Sequence, residues 1–234
     1  MSVRSAPYRV LLCDLDGTLV DSVPDLRRAL NKLLCELKLP AQSLEAVKGM
    51  VGNGVAKLVE RGLAAAGQPQ DPDSLGEEVE RFLQHYNAGL VIDTRPYPGA
   101  EPVLRALKAD GWRLAVCTNK PEEPSRQILA TLGLLDLFEA VAGGDSFAVR
   151  KPDPGHPLGI LDRMGAAPGE AIMLGDSRAD GEAARAAGLP SILVRFGYSP
   201  GTPLDGLADV MIDRFEELPA ALRQIAARSA AALP

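Results

Sequence analysis

The sequence predicts an α/β protein, a doubly wound parallel sheet with a helical domain inserted after its first strand. Three observations predict it. Short apolar runs rich in Val, Ile and Leu recur without polar alternation, which suits strands buried on both faces of a parallel sheet. Helical patterns fill the intervals between most of them. One long interval, from about Asp21 to Ile92, carries helical patterning and no convincing strand.

The first strand is Val10–Cys13, followed at once by Asp14-Leu15-Asp16-Gly17-Thr18. The helical interval opens at Ser22-Val23-Pro24-Asp25, which reads as a helix start with proline in the first turn. Within it, residues 67–72 read as a loop and Ser74-Leu75-Gly76-Glu77 as a capping box. Pro96-Tyr97-Pro98-Gly99 returns the chain to the core. This divides the chain into an α/β core, residues 1–20 and 94–234, and an inserted helical domain, residues 21–93. In the core, residues 100–109 carry Val103, Leu104 and Leu107 on one helical face and stop near Gly111. Leu114–Cys117 is the next strand, and a helix over 125–132 ends at Gly133. Strands follow at 140–142 and 172–174. A helix over 180–187 is stopped by Gly188-Leu189-Pro190, and strands at 192–194 and 210–212 complete the sheet. The alanine-rich stretch from Ala220 reads as a final helix with a frayed end. No internal repeat or low-complexity tract is present.

Composition narrows the function. A length of 234 residues accommodates a core domain plus a smaller insert. Hydrophobic residues make up 46% and charged residues 24%, a globular balance, while aromatics at 4% leave the packing to aliphatic side chains and alanine. A net charge of −6 argues against nonspecific nucleic-acid binding, which needs a basic footprint. The three cysteines show no CxxC spacing and there are only two histidines, which argues against a thiolate or imidazole metal site and fits a reduced cytosolic protein. Cys13 and Cys117 each end an apolar run and read as packing. Residues 1–8 have no signal-peptide pattern, and no segment approaches the ~20 apolar residues of a membrane span. The expectation is a cytoplasmic protein that engages neither membrane nor nucleic acid.

Ligands of open α/β sheets bind beyond the carboxyl ends of the strands. Asp14 and Asp16 stand at one such end, where they are either a paired-carboxylate site or ordinary turn residues. Thr118-Asn119 follows a second strand and Lys151-Pro152 lies in the loop after a third. Gly175-Asp176-Ser177, with Asp180, follows a fourth. Each has a plain alternative: a helix cap for Thr118-Asn119 and for Asp176, a solvated charge for Lys151. All four in order, each at a strand end, form a set suited to phosphate chemistry.

These residues resemble the haloacid dehalogenase superfamily. The four motifs are Asp14-Leu15-Asp16-Gly17-Thr18-Leu19-Val20-Asp21-Ser22, Thr118-Asn119, Lys151, and Gly175-Asp176-Ser177-Arg178-Ala179-Asp180. The resemblance spans essentially the whole chain, because the insert sits where this family places a mobile cap. It implies a Rossmann-like core and a Mg2+-dependent phosphoester hydrolase working through an aspartyl-phosphate. Asp14 is then the nucleophile and Asp16 the acid/base residue. Mg2+ takes a carboxylate oxygen from each of Asp14 and Asp176 and the backbone carbonyl of Asp16. Thr118, the Asn119 amide and Lys151 bind the phosphoryl oxygens. Thr18 supports the first motif, and Asp180 orients either Lys151 or a metal-bound water. Cys13 stands where many relatives have phenylalanine, and His156 reads as a loop residue.

Asp16 argues against dehalogenase and phosphonate-hydrolase branches, which lack an aspartate there. Val51-Gly52-Asn53-Gly54, Thr118-Asn119-Lys120-Pro121, Gly143-Gly144-Asp145 and Phe196-Gly197-Tyr198 resemble the bacterial phosphoglycolate phosphatase group. That implies a small phosphorylated metabolite, 2-phosphoglycolate, as substrate. Another small phosphoester (a sugar phosphate, a nucleotide or pyrophosphate), a β-phosphoglucomutase-like mutase and a noncatalytic phosphate sensor remain the alternatives. Gly52, Asn53 and Gly54 either face a substrate carboxylate or form a turn between cap helices. Arg61 reads as solvated, and Val47 and Met50 as cap packing. The expected state is monomer or homodimer.

Overall fold

Four consecutive apolar residues, Val10–Cys13, form β1 and are all buried. Their side chains alternate, Leu11 and Cys13 joining one apolar cluster and Val10 and Leu12 another. That is the period of a strand with helices on both faces. The computed structural model describes residues 8–199, 204 and 206–231. Most of the N-terminal stretch, residues 1–7, and the frayed end expected at residues 232–234 lie outside them.

β1 is followed by β2 (Val20–Asp21), then α1 (Val23–Glu36), α2 (Leu44–Lys48), α3 (Val55–Ala65), α4 (Gly76–Asn87) and β3 (Arg95–Pro96). The chain continues through α5 (Ala100–Ala109), β4 (Arg113–Cys117), α6 (Glu122–Thr131), β5 (Ala140–Ala142), α7 (Gly155–Met164), β6 (Ala171–Gly175) and α8 (Arg178–Ala186). It ends with β7 (Ser191–Val194), β8 (Val210–Ile212) and α9 (Leu218–Ala231). The main sheet is parallel in the order β5-β4-β1-β6-β7-β8. After β1 the chain winds outward through β4 and β5, then returns to the other side of β1 for β6. That reversal opens a crevice at the carboxyl ends of β1, β4 and β6, the place where such sheets hold ligands.

The interval expected to be helical holds α1–α4. Leu26, Leu30, Leu33 and Leu34 of α1 and Phe82 and Tyr86 of α4 are buried together in the cluster that also covers one face of the sheet. Both passages into this segment are tied. β2 pairs antiparallel with β3, Val20 against Pro96 and Asp21 against Arg95. Two-residue strands carry too few side chains for a periodic signal, so the sequence reading missed both. Among the described residues, no helix is long and apolar enough to cross a membrane.

Local details depart from the reading. The capping box at Ser74 is absent: Ser74 ends a short 3-10 turn and its hydroxyl donates back to the Asp71 carbonyl, so α4 starts without a side-chain cap. The helix expected from Ser125 starts at Glu122 after Pro121, and the Ser125 hydroxyl bonds the Pro121 carbonyl inside the first turn. The helix expected from Asp180 starts at Arg178, because Ser177 caps it and Asp180 reaches back from the third position. Helix α7 had no counterpart in the reading, since Gly155, Pro157 and Gly159 dilute its pattern. His156 is therefore a helical residue, fully buried and not part of a loop.

Candidate active site

Asp14 is the first residue beyond β1, held in place by its N–H donating to the Leu174 carbonyl at 2.9 Å. Its carboxylate is buried, and Lys151 Nζ lies 3.0 Å from Oδ1. That approach is off the hydrogen-bonding direction, and Oδ1 has no hydrogen-bond partner among the described residues. Burial raises the Asp14 pKa to about 6, with Lys151 and the Thr118 hydroxyl opposing and Asp180 reinforcing the rise.

The turn after Asp14 explains the next four residues. The Leu15 carbonyl accepts from the N–H groups of Thr18, Leu19 and Val20, and Gly17 donates to Val20 at 2.9 Å. Gly17 sits at φ +86°, and a Cβ there would fall 2.4 Å from Asp176 Oδ2. Glycine lets the turn press against Asp176. Asp16 then accepts from Ser22 Oγ at 2.6 Å and faces Lys120 Nζ at 3.0 Å. Thr18 Oγ1 lies 3.4 Å from Asp176 Oδ1.

Asp176 follows β6 and accepts from the Tyr198 N–H at 2.6 Å. Burial, then the neighbouring Asp180 and Asp14, hold its pKa well above the usual carboxylate range. Asp180 is fully committed. One oxygen takes Lys151 Nζ at 2.6 Å, and the other takes Ser177 Oγ at 2.6 Å and the N–H groups of Ser177 and Asp176. Burial disfavours the Lys151 ammonium, but Asp14 and Asp180 together outweigh it and hold its pKa above the ordinary lysine value. Thr118 follows β4, its N–H donating to Ala142 and its hydroxyl accepting from Lys120 N–H. The Asn119 carboxamide donates to the carbonyls of Gly52 (3.1 Å) and Lys151 (2.9 Å), so it bridges the helical segment and the core. Its Oδ1 is buried and has no hydrogen-bond partner among the described residues.

Oxygens of Asp14, Asp176 and Asp180 lie within 4.8 Å of one another. Three buried carboxylates against one ammonium leave excess negative charge, and an orphaned Asp14 oxygen points to a missing electrophile. A hard divalent cation fits this all-oxygen set. Since Asp180 is already satisfied, Asp14 and Asp176 are the side chains free to hold it.

The cavity over Asp14, about 40 Å3, is lined by Asp14, Asp16, Thr118, Asn119 and Lys120 from the core. Leu26, Val51, Gly52, Gly54, Val55 and Leu58 close it from the helical segment. Gly52 and Gly54 thus share a cavity with the carboxylates, whereas the exposed Asn53 turns outward and accepts from Arg61 at 2.7 Å. Arg61 is not simply solvated. It also donates to the Met50 carbonyl and so braces the turn. Val47 and Met50 are buried as expected. The sequence reading assigned no role to Lys120, although it directly follows Thr118-Asn119. Nor did it single out Tyr86 and the Tyr198 hydroxyl, which reach the site from distant segments and leave no local pattern.

A family model described as haloacid dehalogenase-like hydrolase matches residues 8–188. The phosphoglycolate phosphatase of Cereibacter sphaeroides is 44% identical over 92% of this chain and 97% of its own. That of Caulobacter vibrioides is 43% identical over 89% and 88%. Among solved structures, a predicted phosphoglycolate phosphatase from Haemophilus somnus superposes with a TM-score of 0.86 at 32% identity, over 93% of this chain and 99% of that one. CbbY from Rhodobacter sphaeroides, in complex with xylulose-1,5-bisphosphate, superposes at 0.76 with 26% identity, over 90% and 96%.

Proposed function

The chain belongs to the haloacid dehalogenase-like hydrolases, and within that family we propose that it hydrolyses 2-phosphoglycolate to glycolate and phosphate through a phosphoryl group carried on Asp14. The observation that carries this reading is the buried Asp14 carboxylate, with Oδ1 beside Lys151 and without a hydrogen-bond partner among the described residues, lining a cavity between the core and the helical segment. Identity of 44% to a phosphoglycolate phosphatase over nearly the whole chain supports the substrate.

In this mechanism the Asp14 carboxylate attacks phosphorus and the glycolate oxygen leaves, taking a proton from Asp16. Water then attacks the same phosphorus, Asp16 accepts its proton, and the Asp14 carboxylate is released with phosphate. Lys151, the Thr118 hydroxyl and the Asn119 amide hold the phosphoryl oxygens. Asp180 positions Lys151 through the 2.6 Å contact, and Thr18 steadies Asp176. Asp14, Asp176 and the Asp16 carbonyl would hold Mg2+, which would supply the charge neutralisation that lets one anion approach another. Ser22, at 2.6 Å, and Lys120 fix the Asp16 carboxyl.

Residues 21–93 act as the cap over the core of residues 1–20 and 94–234. Gly52 and Gly54 present backbone to the substrate, and Asn53, held by Arg61, shapes the turn that carries them. Closure excludes water and strengthens every electrostatic contact inside. The three free cysteines fit work in the reducing cytoplasm, as a monomer or homodimer.

The test is phosphate release from 2-phosphoglycolate, sugar phosphates, nucleoside monophosphates and pyrophosphate, with Mg2+ or chelator. The expected result is a kcat/KM for 2-phosphoglycolate at least about tenfold above the rest. Better turnover of a sugar phosphate would move the assignment to the second reading, which rests on the CbbY complex with xylulose-1,5-bisphosphate.

A further inference from the structure

Lys120 is a buried cation that the proposed hydrolysis uses only as a neighbour of Asp16. Its side chain is 5% exposed. It lies 3.0 Å from Asp16 Oδ2 on the core and donates to Tyr86 Oη at 2.7 Å on α4 of the helical segment. Of the described residues lining the cavity, Lys120 alone is basic. Lys151 is hydrogen-bonded to Asp180 and placed beside Asp14, where it serves the phosphoryl group, and Arg61 lies outside, bonded to Met50 and Asn53. The walls facing Lys120 across the cavity include Leu26, Val51, Val55 and Leu58, which offer a polar ligand nothing.

We infer that Lys120 is the specificity-determining residue of this site, its ammonium taking a carboxylate carried on the carbon next to the phosphoester. The inference rests on the phosphatase reading above and names the part of the substrate that Lys120 recognises. An ammonium has three N–H donors. Among the described residues it donates to Asp16, at 3.0 Å to Oδ2 and 3.4 Å to Oδ1, and to Tyr86; one N–H shared by the two Asp16 oxygens and one for Tyr86 leave capacity for a third partner. A carboxylate tail gains an ion pair as well as a hydrogen bond from the ammonium, whereas a hydroxyl tail gains the hydrogen bond alone. Tyr86, itself buried against Phe82, keeps the ammonium from swinging away. It also makes the recognition depend on the helical segment being closed.

The competing role is structural: Lys120 merely positions Asp16. The two roles separate in a ratio. Lys120→Met is compared with the unaltered protein on 2-phosphoglycolate and on 2-hydroxyethyl phosphate, a chain of the same length ending in a hydroxyl. Loss of Asp16 positioning lowers both rates together and leaves the kcat/KM ratio unchanged. Loss of carboxylate recognition lowers the ratio by at least about tenfold, with partial recovery in Lys120→Arg. A ratio held within about tenfold in folded Lys120→Met overturns the assignment. Should Lys120→Met fail to fold, Tyr86→Phe decides: the ratio is expected to fall by about threefold or more, and a smaller change overturns the inference. If the unaltered protein shows no preference between the two esters, both the 2-phosphoglycolate reading and the role of Lys120 fail. A preference that survives in Lys120→Met sinks the role of Lys120 alone.

Discussion

At the residue scale the account turns on groups whose charge is out of balance. Asp14→Asn removes the proposed nucleophile while keeping its size. Turnover is expected to fall by about 10^4-fold or more in a phosphate-release assay, with the fold intact by circular dichroism. His156 carries a prediction about stability. It is buried, with Nε2 3.0 Å from the Gly143 carbonyl and Nδ1 3.7 Å from Cys117 Sγ. Burial and the Lys151 charge lower its pKa to about 4, so the folded protein keeps the ring neutral. An unfolded histidine protonates near pH 6.5, so between about pH 6.5 and 4 the unfolded chain binds a proton that the folded chain refuses. Stability through this residue is present at neutral pH and is lost as pH falls through that window, by about 3 kcal/mol in all. In urea titrations, His156→Gln should lose less stability than the unaltered protein between pH 7 and 5. Parallel losses would contradict the assignment.

At the element scale one buried carboxylate ties the two ends of the helical segment together. Asp25 of α1 is buried and accepts from the N–H groups of Ile92, Asp93 and Thr94 and from Thr94 Oγ1. Burial opposes its charge, but these donors and Arg28 hold its pKa below the usual carboxylate value. Asp25→Ala strands the buried N–H and hydroxyl of Thr94, frees the less buried N–H groups of Ile92 and Asp93, and is expected to cost about 3 kcal/mol or more in urea unfolding. A loss below about 1 kcal/mol would show the fastening to be dispensable. The sequence made the strands of the main sheet legible because four faces of evidence agreed: apolar runs, glycine stops, helical intervals and polar residues at strand ends. It did not show how residues 21–93 are fastened. Asp25 was legible as a helix-start residue, but its partners lie 67 to 69 positions away. Tyr198 is similar. Its hydroxyl accepts from Ser22 N–H at 2.6 Å and donates to Asp21, joining the end of the sheet to β2 and α1. Contacts of that range leave no local pattern. Local capping was misread at Ser74 and Ser125 because a serine near a helix start has several backbone groups in reach.

At the scale of the whole molecule, the parallel sheet brings Asp14, Thr118, Lys151, Asp176 and Asp180 from four separate strand ends to one crevice. The chain order of those residues was readable, and so was their common edge. The exchange of partners between them was not, because it depends on which oxygen of Asp180 faces Lys151 and which faces Ser177. Metal removal reports on the same crevice. With chelator, turnover is expected to vanish while the sheet persists, and saturating Mg2+ should raise Tm by roughly 2–4 °C for each kcal/mol of binding. An unchanged Tm together with unchanged turnover would mean that the carboxylates hold no metal. The most direct test of the central claim is an acid quench during turnover of 2-phosphoglycolate carrying labelled phosphorus, followed by peptide mapping. The account predicts acid-stable label on the peptide containing Asp14, absent in Asp14→Asn. Steady turnover with label on no peptide, or on a peptide without Asp14, would contradict it.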